Sequence, residues 1–138
     1  KNRKNRNWTI GIEDPLGNGT DNNGLCAILH LDGGAVATSG NYRNIVDLDG
    51  EVLGHTISPE TGFPIQNDVL SVTVLSESCM IADAWATALM VMNYKTGYEM
   101  VENDPEIDAI WIIKDERNRR YVSMSGQIDI RELIYPFK

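Results

Sequence analysis

The chain has 138 residues, 42% hydrophobic and 23% charged, which suits one domain with a substantial core and excludes a disordered chain. Its formal net charge is −8 at pH 7, and the only basic cluster is Lys1, Arg3, Lys4 and Arg6 at the start, so no extended basic face is on offer and nucleic acid is not expected as a partner. No apolar run approaches the ~18 residues of a membrane-spanning helix.

In chain order, "WTIGIEDP" (8–15) alternates as a strand does and stops at Pro15. "LGNGTDNNG" (16–24) is a turn-rich loop, "LCAILHLDGG" (25–34) a strand ending at Gly33-Gly34, and "AVATSG" (35–40) a short strand. "IVDLDGEVLGHTI" (45–57) reads as a hairpin, with Asp49-Gly50 as a type I′ turn dipeptide between two β-rich arms. "SPETGFP" (58–64) is a turn carrying Pro59, Gly62 and Pro64, and "VLSVTVLS" (69–76) is the most β-like segment. From Cys79 to Asn93 the chain turns rich in Ala, Met and Leu without Gly or Pro, which predicts a helix of about fifteen residues. "KTGYEMVENDP" (95–105) predicts a second, shorter helix, "DAIWIIKDERNRRYVSMS" (108–125) a hairpin turning at "DERN", and "IDIRELI" (128–134) a final helix. Strands in runs followed by helices define an α+β class: an antiparallel β-rich sheet with a long helix and shorter helices packed on it, residues 1–138 forming one domain. The β-rich first half has little helix to cover it, which points to one part of something larger. Cys26 and Cys79 are far apart, match no metal-ligand spacing, and read as buried or free thiols.

The stretch "MIADAWATALM" (80–90) carries the most informative conflict. Met80, Ala84, Ala88 and Val91 define one apolar face, with Trp85, Leu89 and Met92 beside it, yet Asp83 and Thr87 lie one helical turn apart as a polar stripe. Three readings compete: a solvated edge, a hydrogen bond within the helix or to a loop, or a hard-cation site. A carboxylate and a hydroxyl one turn apart can both ligate Mg²⁺, which needs only one or two protein carboxylates where a phosphorylated substrate supplies other oxygens. His55 lies on a strand entering a rigid turn and suits either a general base or phosphate contact, or a strand-end histidine bonded to backbone. Thr61 and Gly62 offer a hydroxyl and a close backbone approach to a ligand, or plain turn chemistry. Ser39-Gly40 with Arg43 reads as a phosphate-holding turn or as a surface turn. The chain contains neither a GxGxxG fingerprint nor a P-loop lysine.

Taken in order, "ATSGNYRN", "DGEVLGHTISPETGFPI", "SVTVL" and "ADAWATALMVM" resemble the FAD:protein FMN transferase family, the ApbE-type flavin-trafficking lipoproteins, over residues 8 to about 93. The resemblance implies an ApbE-like α+β fold and Mg²⁺-dependent transfer of FMN from FAD to a Thr or Ser hydroxyl of an acceptor flavoprotein, releasing AMP. It also implies a periplasmic or otherwise extracytoplasmic location, with a lipid anchor on the membrane. Carried over residue by residue, Asp83 and Thr87 match the metal ligands, Ile57 a position whose backbone touches FAD, and His55 the histidine that activates the acceptor hydroxyl. The Thr61-Gly62 turn would shape the flavin-side wall, with Ser39 and Arg43 in the cofactor-binding set. This chain has Ser58-Pro59 where the family usually reads Asp-Pro, and Ala86 where some members carry a further Asp. Family members are longer, so the chain corresponds to their C-terminal portion. The alternatives are an FAD-binding or carrier module without transfer, and an Mg²⁺-dependent pyrophosphatase giving FMN and AMP.

Overall fold

Segments with a two-residue apolar period fold as strands, and the Ala- and Met-rich segment folds as the long helix. The structure, a computed structural model, describes residues 3, 5–15, 17, 24–42, 45–48, 51–117, 119–125, 128 and 130–133. Its strands are β1 (Trp8–Glu13), β2 (Leu25–Leu31), β3 (Ala35–Gly40), β4 (Ile45–Leu48), β5 (Glu51–Gly54), β6 (Val69–Ser76), β7 (Ile107–Lys114), β8 (Arg120–Met124) and β9 (Ile130–Leu133). The helices are α1 (Cys79–Val91) and α2 (Tyr94–Glu102). The pairing is antiparallel throughout: β1-β2-β9, β3-β6-β7-β8 and β4-β5. The class is α+β.

Alternation on β7 separates the two cores. Ala109 and Trp111 face α1 and α2, joining Val72, Val74, Ala82, Ala86, Leu89 and Met90. Ile110 and Ile112 face the other way and meet Ile12, Cys26, Ala27 and Leu29 of the three-stranded sheet. The four-stranded sheet is thus the middle layer, covered by helices on one side and by β1-β2 on the other. Trp111 is fully buried, with Tyr94 and Tyr98 ring centroids each 5.8 Å from its own, so α2 docks through aromatic contacts.

Three expectations change. The segment 128–134 does not give a final helix: residues 130–133 are β9, paired with β2. A seven-residue apolar pattern cannot distinguish helix from strand by period, and the open edge of β2 decides it. Helix α1 buries Ala82, Ala86, Leu89 and Met90, while Met80 is 75% exposed and Ala84 is exposed. The helix is apolar on nearly every side, so sequence period does not select its buried face; the two small alanines let it approach the sheet closely. It also stops at Val91, because the Asn93 side chain accepts the Thr96 N–H at 3.0 Å and starts α2.

The hairpin β4-β5 forms in the expected register, with Leu48 opposite Glu51; Asp49-Gly50 lies outside the described residues. Cys26 is buried, which pushes its thiol up to about 12, and Cys79 is a free, exposed thiol. No helix among the described residues is long and apolar enough to cross a membrane.

Two carboxylates pin the strand ends. Asp14, only 5% exposed just beyond β1, pairs with Arg120 at the start of β8 and so ties the outer layer to the middle one. Asp115 organises the β7–β8 turn: it accepts the N–H groups of Arg117 (2.9 Å) and Arg119 (2.8 Å), Arg119 Nε (2.8 Å) and the Tyr121 hydroxyl (2.9 Å). Desolvation works against its ionisation, but the hydrogen bonds from Arg119, Tyr121 and Arg117 outweigh it and hold its pKa at about 2 against an ordinary 3.8. A depressed carboxylate pKa stabilises the fold above the unfolded value and loses that contribution as pH falls through the folded one. Acid unfolding followed by circular dichroism should therefore be less steep between about pH 4 and pH 2 in Asp115→Asn than in the parent.

Candidate active-site cleft

Strand β3 is an edge strand of the four-stranded sheet, and a cleft of about 710 Å³ opens along it, within the usual range for small-molecule sites. Gly11 to Glu13 of β1 form one wall, and Thr87, Met90 and Val91 of α1 form the other. Thr38, Ser39 and Gly40 of β3 run along the floor, joined by Tyr42, and His55, Thr56 and Ile57 close the rim. Alternation places Thr38 and Ser39 on opposite faces of the sheet. The Thr38 hydroxyl meets that of Thr73 at 2.8 Å, and Ser39 Oγ lies 3.4 Å from Thr87 Oγ1.

The Asp83–Thr87 stripe combines two of the sequence readings. The Thr87 hydroxyl donates to the Asp83 carbonyl at 3.1 Å, the helix-internal bond. That bond commits its proton and leaves an oxygen lone pair outward, beside Ser39. Asp83 is exposed, and its carboxylate makes no hydrogen bond or ion pair among the described residues. Both donors are hard oxygens one helical turn apart, so the pair fits Mg²⁺. Among the described residues no cluster of three or more His, Cys, Asp or Glu side chains is present, so a cation here would need oxygens from a phosphate or water as well. Ala86 is fully buried and belongs to the core.

His55 follows β5 directly and is exposed at the rim. The segment after it is a tight, internally bonded turn. Ile57 bridges Pro64, the Ser58 N–H donates to the Phe63 carbonyl (2.9 Å), and the Gly62 N–H donates to the Ser58 carbonyl (2.8 Å). Gly62 has φ +73°, a conformation that favours glycine. Thr61 Oγ1 accepts the Phe63 N–H at 3.3 Å. Thr61 and Gly62 therefore sit at the exposed tip and build the turn, outside the cleft lining, while Ile57 lies in it, half exposed at 50%.

Ser58 explains the departure from Asp-Pro. Its Oγ accepts the Glu60 N–H at 3.3 Å and the Thr61 N–H at 3.4 Å, a turn-capping role that an aspartate oxygen can also fill. The position serves the turn rather than supporting His55. Ser58→Ala should lower stability by about 1 kcal/mol in thermal unfolding, and Ser58→Asp should restore it.

Asn67 clips the far end of this segment to α1. Its Nδ2 donates to the carbonyls of Met90 (2.9 Å) and Met92 (3.1 Å), and its Oδ1 accepts the Val69 N–H at 3.1 Å. Sequence reading missed it, because a helix end satisfied by a residue more than twenty positions upstream leaves no local signal. Arg43 lies outside the described residues. The cleft thus gathers Ser39, His55, Ile57 and Thr87 from three separate segments, with Asp83 one turn from Thr87.

A β-rich α+β layer structure of this kind is that of the ApbE family, whose model matches residues 1–111, and the chain belongs to that family. It is 42% identical over 125 residues to an FAD:protein FMN transferase of Vibrio cholerae, covering 90% of this chain and 36% of that protein. It is 37% identical over 121 residues to the FAD:protein FMN transferase of Escherichia coli K12, covering 87% and 33%. Among solved structures, the flavin transferase ApbE from Vibrio cholerae superimposes with TM-score 0.71 at 38% identity, covering 91% of this chain and 38% of that one. The apo flavinyl transferase ApbE of Pseudomonas stutzeri gives TM-score 0.65 at 33% identity, covering 85% and 34%. The chain spans about a third of the length of these relatives.

Proposed function

We propose that this chain is the C-terminal portion of an FAD:protein FMN transferase, which moves FMN from FAD to a Thr or Ser hydroxyl of an acceptor flavoprotein and releases AMP. The observation that carries the reading is the convergence of Ser39, His55, Ile57 and Thr87 on one cleft of dinucleotide scale, in a chain of this family. Asp83 and Thr87 would hold Mg²⁺, which when bound supplies neutralisation of phosphate charge. The capped 58–64 turn and the Asn67 clip hold the Ile57 backbone and the rim against α1, so FAD meets a preformed surface. His55 accepts the proton of the acceptor hydroxyl as that oxygen forms its bond to the FMN phosphorus, and the bond from that phosphorus to the bridging oxygen breaks as AMP leaves. Phosphoryl-type transfer asks mainly for positioning and charge stabilisation, which suits a site with few catalytic side chains. Ser39 and Arg43 are assigned to FAD, and Thr61 and Gly62 act through the turn they build. The full-length protein is assigned to the extracytoplasmic side of the membrane, lipid-anchored, on the family resemblance.

Chromatography of nucleotides after incubation of the full-length protein with FAD tests the reading. Consumption of FAD should require both Mg²⁺ and a threonine-bearing acceptor. Free FMN and AMP without an acceptor would mark a hydrolase, and intact FAD under all conditions a carrier.

A further inference from the structure

Tyr42 belongs to the "TSGNYR" segment, yet none of the roles above uses it. Its ring lines the cleft and is held at both ends. At the near end it lies against Gly40, where an added Cβ would stand 2.6 Å from Tyr42 Cε1 and 2.9 Å from Cδ1. At the far end its hydroxyl donates to Glu13 Oε2 at 3.2 Å. Glu13 is on β1 and Gly40 on β3, so the ring spans from one sheet to the other beneath the cleft. The intervening backbone is fixed as well, because the Asn41 N–H donates to the Leu70 carbonyl at 3.1 Å. An aromatic ring immobilised before binding gives up little entropy when a second ring stacks on it, and it selects for flat ligands.

Resting on the reading of the cleft as an FAD site, we propose that Tyr42, latched by Glu13 and seated on Gly40, is a specificity-determining platform for a planar heteroaromatic ring of the dinucleotide. The phosphates are held elsewhere, at the Asp83–Thr87 side. Recognition is thereby divided: a ring-bearing ligand depends on Tyr42 and a bare pyrophosphate does not.

The test is a titration of the full-length protein with FAD and, separately, with inorganic pyrophosphate, both with Mg²⁺ present. Tyr42→Leu, which removes the ring but keeps apolar bulk, should weaken FAD binding roughly tenfold and leave pyrophosphate binding unchanged. Tyr42→Phe, which keeps the ring on Gly40 but removes its bond to Glu13, should weaken FAD binding by less than Tyr42→Leu does and leave pyrophosphate binding unchanged. Gly40→Ala, which displaces the ring without deleting it, should weaken FAD selectively and serves where Tyr42→Leu fails to fold. Unchanged FAD affinity in Tyr42→Leu and Gly40→Ala would overturn the platform alone. Equal loss of FAD and pyrophosphate would also overturn it, by showing a collapsed cleft instead of a lost stacking surface. A parent protein that binds no FAD would overturn both the platform and the reading it rests on.

Discussion

Replacing Asp83 with alanine should abolish Mg²⁺-dependent flavin transfer by the full-length protein while leaving its thermal unfolding essentially unchanged. The expectation follows from how the residue is placed. Asp83 is exposed on α1, and its carboxylate makes no contact among the described residues that the fold would miss. Alanine is also the better helix former, so truncation costs little structure. The backbone carbonyl that accepts from Thr87 survives the substitution. What disappears is the one carboxylate of the proposed cation pair. Lewis-acid stabilisation of several kcal/mol corresponds to a fall of about 10³-fold in turnover. Calorimetric titration with Mg²⁺ should show the matching loss of affinity, a readout independent of activity. Unimpaired turnover in a folded Asp83→Ala protein would remove the metal assignment.

His55→Ala should be the second severe variant. The imidazole stands at the rim just after β5, exposed, in a cleft it shares with Ser39 and Thr87. Loss of a positioned base costs about 10²–10⁴-fold. The fall should appear in kcat, with KM for FAD little changed, because the residue acts on the acceptor's proton and not on the dinucleotide. A raised KM with unchanged kcat would make His55 a binding residue instead.

Most strands and the long helix are legible in the sequence because their segments are long and distinct in composition: eight β-rich residues in β6 and in β7, and thirteen in α1 that are rich in Ala, Met and Leu without Gly or Pro. The same logic fails at residues 130–133, where a short pattern yields to the open edge of β2. It fails too on the buried face of α1, since an almost uniformly apolar helix carries no directional signal. The motif residues Ser39, His55, Ile57 and Thr87 are visible in the sequence and converge in the fold. The parts that hold them are not visible there. Ser58 caps its turn through N–H groups two and three residues on, a role any polar turn residue could fill, while Asn67 on the end of α1, Asp14 against Arg120 and Tyr42 against Glu13 are tertiary pairings across many residues of chain. Each looks like an ordinary polar or aromatic residue in one dimension. The Asp83–Thr87 stripe shows the converse: a polar anomaly in an apolar helix is a local signal, and one of its two residues, Thr87, lines the cleft.

Intact-mass spectrometry of a threonine-bearing acceptor, after incubation with the full-length protein, FAD and Mg²⁺, addresses the proposed transfer most directly. The acceptor should gain one covalent FMN, AMP should appear in equal amount, and chelation of Mg²⁺ or replacement of the acceptor threonine by valine should prevent both. An acceptor of unchanged mass, with FAD either intact or cleaved to free FMN and AMP, would contradict it.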